Sequence, residues 1–236
     1  MRAEAGRLAR AAAGRARSRL PVRFGSLRRL APVSRKFGYD RGQPIDRYYI
    51  ERFLDANADL ITGRVLEIGD NAYTRRFGGP RVTRTDVLNI DPGHPRTTIV
   101  GDLATADHIP SDEFDCLIIT QTLHLIYDLP AAVGTLHRIL GPGGTLLTTF
   151  PGISPLSDDR WADSWYWALT PLSAVRLFGD VFGPDNVAVA AHGNVLTSVA
   201  FLEGLAAREL RREELDVDDP QFPMLITVTA VKPRRA

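Results

Sequence analysis

One cysteine, Cys116, in 236 residues excludes an internal disulfide, and inside the apolar run FDCLIIT it reads as a buried core thiol. No apolar run approaches the ~18 to 20 residues needed to cross a bilayer. The first twenty residues lack an apolar centre and are broken throughout by arginine, so they do not read as a secretory signal. A cytoplasmic location is the resulting expectation. The pattern G-x-G-x-x-G is missing after the first predicted strand, which argues against a nicotinamide dehydrogenase. No internal repeat is present.

The chain does have enough apolar residues, 44%, to bury a full core, most simply as one domain with decorations. Its net charge of +1 hides an asymmetry. Residues 1–36 carry ten Arg and Lys36 against Glu4, a charge of +10 that leaves −9 for the rest. A basic extension over 1–37 and a folded domain over 38–236 are expected. The arm is either a solvated extension or a contact for an anionic surface or partner.

Nine residues, Val65 to Tyr73 (VLEIGDNAY), organise the remainder. They read as a short buried strand, an acid, a glycine and a turn that can start a helix, which leaves backbone N–H groups facing a crevice. Asp86 closes the next run, RVTRTD, nineteen residues after Glu67. That is near the ~20-residue offset at which an acid meets ribose hydroxyls in nucleotide folds. Before them, PIDRYYIERFLDANADL spaces Ile45, Tyr49, Phe53, Ala56 and Leu60 as one helical face, with Arg47, Tyr48 and Tyr49 placed to close the crevice or to join the core. A short strand from Thr97 to Val100 brings Asp102 to a strand end, as a ligand for an exocyclic amine or as a turn cap.

FDCLIIT reads as a strand buried on both faces and ends in Gln121, Thr122, Leu123 and His124. Asp128 is placed to cap a helix to Leu140, with Pro130 in its first turn, and a further strand spans Thr145 to Phe150. A region of about 151–183 holds all three tryptophans within seven residues, either to wall an acceptor pocket or to pack as a lid. Thr170 and Pro171 open another helix. A strand at 187–190, mostly helical residues 195–215, and a final strand, expected to be antiparallel at an edge, complete an α/β chain.

Three stretches, VLEIG, FDCLIITQTLHLIYD and LHRILGPGGTLLTTF, resemble class I S-adenosylmethionine-dependent methyltransferases of the small-molecule kind. The resemblance implies a Rossmann-like, mostly parallel seven-stranded sheet with helices on both faces and an antiparallel edge strand, and S-adenosyl-L-methionine as cofactor. It places Glu67, Gly69, Asp70 and Asn71 around the methionine end, with Tyr49 closing over the site. Asp86 then falls to the ribose and Val87 beneath the adenine, Asp102 and Leu103 at the adenine edge, and Gln121 beside the sulfonium. The family's acidic-x-Gly-x-Gly-x-Gly turn is incomplete here, because Asn71 and Tyr73 stand where its second and third glycines would be.

The implied reaction is methyl transfer to a small-molecule acceptor, foremost a hydroxyl of a sugar or secondary metabolite in natural-product or polysaccharide biosynthesis. His124 is the first choice of base and His192 the second, because imidazole titrates near neutrality. Asp158, Asp159 and Asp163 read as solvated loop acids rather than metal ligands. The alternative is a non-catalytic protein of the same fold that acts by interaction or regulation, and homo-oligomerisation stays open.

Overall fold

The computed structural model describes residues 25–156 and 161–234; Asp158 and Asp159 lie outside the described residues. The chain divides into two units, residues 1–32 and 33–236. In the first, the described residues form a 3-10 turn, Gly25–Leu27.

The second unit is built on seven strands: β1 (Gly63–Ile68), β2 (Val82–Asn89), β3 (Ile99–Val100), β4 (Phe114–Thr120), β5 (Leu140–Pro151), β6 (Val187–His192) and β7 (Leu225–Val231). Their order is β3-β2-β1-β4-β5-β7-β6. The first five named in that order pair in parallel, and β7 runs antiparallel between β5 and β6. The final strand is therefore antiparallel as expected, but β6 occupies the outer position. The order reverses between β1 and β4, and a crevice opens outside the carboxyl ends of strands at such a point.

Alternation along the strands creates two cores, one on each face. Val65, Cys116, Ile118 and Leu147 point to one side and pack beneath α1 (Ile45–Ala56) and α4 (Val195–Leu202). Leu66, Leu117, Ile119 and Leu146 point to the other, beneath α2 (Leu129–Ile139) and α3 (Pro171–Phe182). The sequence dictates where both of these last helices start. Asp128 accepts the Ala131 N–H at 3.1 Å ahead of Pro130, and Thr170 accepts from Ser173 at 3.2 Å ahead of Pro171. After α4, a single helical turn, α5 (Arg212–Leu215), replaces the longer helix expected through 215. Among the described residues no helix is long and apolar enough to cross a membrane.

The folded unit reaches back beyond Gly38. The Ser34 N–H donates to the Glu203 carbonyl at 3.0 Å, and Phe37 packs on Trp165 and Phe201 with ring centroids 6.1 and 6.0 Å away. Residues assigned to the extension by their charge thus form part of the wall of the site.

Candidate active site

The turn after β1 is held by a carboxylate. Glu67, 3% exposed, accepts the Thr74 N–H at 2.7 Å and the Tyr73 N–H at 3.2 Å, and so caps the short π-helical turn Thr74–Gly78. Burial pushes its pKa up to about 7, against the opposing pull of those N–H groups. Glu67 therefore fixes the loop from beneath, its two carboxylate oxygens taken up by the chain's own N–H groups. Tyr73, in the third glycine's place, packs toward Phe77, and its hydroxyl lies 3.5 Å from Arg47 Nη1.

Above this cap the loop is open. Gly69 has φ 81°, and a Cβ added there would meet no atom within 4 Å. Asp70 closes a local turn by accepting the Ala72 N–H at 2.8 Å. The Asn71 side-chain oxygen is buried and has no partner. A buried acceptor without a donor is costly, which sets this oxygen apart from those of Glu67 and Asp70.

The second strand places its carboxylates differently from the sequence reading. Its ladder pairs Leu66 with Asp86 and Ile68 with Leu88, so Asp86 lies inside the sheet. It is 3% exposed and accepts from Arg64 Nε at 2.7 Å and Thr98 Oγ1 at 3.1 Å, with Arg84 at 3.3 Å. Asp86 is thus a structural anion whose lone pairs are committed. Val87 beside it is buried in the strand, its N–H donating to Thr98 Oγ1 at 2.8 Å. The strand runs three residues further, and the acid beyond its end is Asp91. Asp91 is exposed and accepts the Gly93 N–H at 2.8 Å. The signal was present in the sequence, since the apolar residues Val87, Leu88 and Ile90 extend the run TDVLNID to Asp91.

Beyond β3, Asp102 is exposed and accepts the Ala104 N–H at 2.9 Å, the turn-capping alternative, while Leu103 is buried in the core. Beyond β4, Gln121 adopts φ 46°, a conformation uncommon for a side-chain-bearing residue. Its N–H is tied to Thr149 at 3.2 Å. Gly69, Asp91, Asp102 and Gln121 therefore stand at or just past the carboxyl ends of four adjacent parallel strands.

Next to Gln121 is a cavity of about 130 Å³, bounded by the start of α1, residues 37–39, the loops after β4 and β5, and α4. His124 lines it. The ring is 1% exposed, neither ring nitrogen has a partner, and burial lowers its pKa to about 4. Trp165 lies 4.4 Å from the His124 ring and stacks on Phe37 at an 8° interplanar angle, and Trp161 adds to the wall. The tryptophan loop is anchored here, because the N–H groups of Tyr166 and Trp167 both donate to the His124 carbonyl, at 3.0 and 3.2 Å. Tyr166 and Trp167 themselves turn outward against Tyr127.

Two expected site residues lie elsewhere. Tyr49 is buried beneath the sheet, its hydroxyl donating to the Leu215 carbonyl at 2.9 Å, because its place on the α1 face points into the core. His192, at the end of β6, bonds Thr227 Oγ1 at 3.0 Å and faces Asp218 at 3.5 Å. Both His192 ring nitrogens thus face partners, and the residue takes no part in the wall of the cavity that His124 lines.

A family model described as a methyltransferase domain matches residues 39–201. The malonyl-[acyl-carrier protein] O-methyltransferase of Serratia marcescens is 23% identical over 195 residues, 74% of this chain and 75% of that protein. A SAM-dependent methyltransferase from Archaeoglobus fulgidus superposes with a TM-score of 0.52 at 12% identity, covering 79% of this chain and 94% of that one. The N-methyltransferase NodS of Bradyrhizobium japonicum WM9, in complex with S-adenosyl-L-homocysteine, gives 0.50 at 13% identity, covering 82% and 90%. These structures share the fold, and S-adenosyl-L-methionine is the cofactor that goes with it. With more than half of its length matched and the strand order described above, the chain belongs to the methyltransferase-domain family and has the class I S-adenosylmethionine-dependent methyltransferase fold.

Proposed function

We propose that this methyltransferase transfers the methyl group of S-adenosyl-L-methionine to a hydroxyl of a small molecule, a sugar or secondary metabolite. The observation that carries the reading is the His124 ring, buried in a cavity wall beside the strand ends with both nitrogens unpaired.

The residues present fit the cofactor. The open space over Gly69 and the partnerless Asn71 oxygen would take its methionine end, Asp91 its ribose hydroxyls, the free carboxylate oxygen of Asp102 its base, and Gln121 the side facing the acceptor cavity. When bound, it supplies a methyl on a sulfonium, a leaving group already activated. The chain's task is then to align the acceptor and exclude water, worth ~7 to 11 kcal/mol in well-oriented systems. Trp161, Trp165 and Phe37 line the cavity with ring faces, and the neutral imidazole of His124 accepts a hydrogen bond from the acceptor hydroxyl. A ring held near 4 is a weak base, so it takes the hydroxyl proton late, as the oxygen–carbon bond forms.

Screening hydroxylated small molecules for S-adenosylhomocysteine formation tests this. With an active acceptor, His124→Gln should lower kcat by ~10²- to 10⁴-fold while cofactor affinity holds. Wild-type kcat/KM should persist as pH falls to about 5, because the ring stays neutral until about 4. Unchanged turnover in His124→Gln would remove the base. A chain that binds no cofactor would favour the non-catalytic alternative, for which the N–H groups occupied by Glu67 are the supporting observation.

A further inference from the structure

Among the described residues, the acceptor cavity has one charged wall. Asp46 and Arg47, in the first turn of α1, both line it. Asp46 is 9% exposed, and burial raises its pKa. Its Oδ1 accepts the Arg47 N–H at 2.8 Å, and its Oδ2 lies 3.9 Å from Arg47 Nε. Arg47 Nε donates to the Tyr39 hydroxyl at 2.9 Å. A carboxylate and a guanidinium are thus fixed side by side at the cavity, with lone pairs and N–H groups still to spend.

Three properties follow. The described lining residues carry one negative and one positive charge, with His124 neutral, so an anionic acceptor would lose its hydration without meeting an unopposed cation. The volume of about 130 Å³ is that of a single ring, close to the ~150 Å³ of a cavity that holds benzene. Ring planes line one side and a donor–acceptor pair another, a combination that an apolar aromatic ring would leave half unsatisfied. A hydroxyl both donates and accepts, so neighbouring hydroxyls on one ring match Asp46 and Arg47 together.

Resting on the methyltransferase reading above, we propose that the acceptor is an uncharged polyhydroxylated ring, a monosaccharide unit. Its adjacent hydroxyls bind Asp46 and Arg47, its apolar face lies on Trp165 and Trp161, and a further hydroxyl is presented to His124. In the reaction that hydroxyl gains the methyl carbon and gives its proton to His124, and the sulfonium leaves as a thioether.

The test uses the full chain saturated with S-adenosylhomocysteine. Methyl pyranosides of several epimers, malonate, benzoate and catechol are titrated in turn while tryptophan fluorescence is followed, since all three tryptophans lie at 161–167. At least one pyranoside should give a saturable change, and the two carboxylates none. Asp46→Asn, whose amide oxygen can keep the Arg47 N–H, should weaken pyranoside binding at least tenfold, and Trp165→Leu should do likewise. Tighter binding of malonate, benzoate or catechol than of every pyranoside would overturn the inference, as would an absence of pyranoside binding or an Asp46→Asn variant of unchanged affinity. Methyl transfer to catechol but to no pyranoside would sink the inference and leave the methyltransferase reading standing. Failure to bind S-adenosylmethionine at all would sink both.

Discussion

The turns after β1 and β4 both bury a titratable side chain next to the crevice, yet they treat it in opposite ways. Glu67 is given two N–H donors by its own loop, and His124 is given none. A buried group whose partners are internal holds the fold, whereas one left unsatisfied stores a demand that a ligand can meet. The same distinction separates Asp86 from Asn71 and His192 from His124. The two histidines share a residue type and a place near the carboxyl end of a strand, and their partners differ.

The comparison is broken most severely at Asp86. Asp86→Ala takes the buried carboxylate from Arg64 Nε and Thr98 Oγ1 while Glu113 stays paired with Arg64, so the expected loss in denaturant unfolding lies at the low end for a broken buried pair, ~3 kcal/mol. A fully stable variant would mean that Asp86 is not the structural anion described here. An effect of no greater size sharpens the contrast between Glu67 and His124 through pH. Glu67 has a raised pKa in the fold, so between about 4.5 and 7 the unfolded chain holds fewer protons, and its contribution to stability falls as pH rises. His124 has a lowered one, so between about 6.5 and 4 its contribution falls as pH drops. Each amounts to about 3 kcal/mol over its window, and across 4.5 to 6.5 they oppose. Glu67→Gln should therefore make stability rise more steeply with pH in that range, and His124→Gln should make it fall. Identical pH profiles for both variants and the parent chain would contradict the assignment.

The sequence made the alternation of strands and helices plain, because FDCLIIT, the Asp128 and Thr170 caps and the LHRILGPGG junction are local signals whose physics acts within a few residues. The length of β2 was hidden. Asp86 looks like a strand end because a charge seldom sits mid-sheet, and what stabilises it there is Arg64 on the neighbouring strand, a partner that no local pattern reveals. The role of Phe37 is likewise hidden, since the basic residues around it describe an extension while its ring lines the cavity. His124 and His192 read alike for the same reason, as hydrogen-bond partners come from distant elements.

Calorimetric titration of S-adenosyl-L-methionine into the parent chain, Asp91→Ala and Asp86→Asn tests the central claim most directly. The account predicts binding to the parent, roughly tenfold weaker binding to Asp91→Ala for the lost ribose contact, and unchanged affinity in folded Asp86→Asn. No heat of binding to the parent, or an affinity that depends on Asp86 and ignores Asp91, would contradict it.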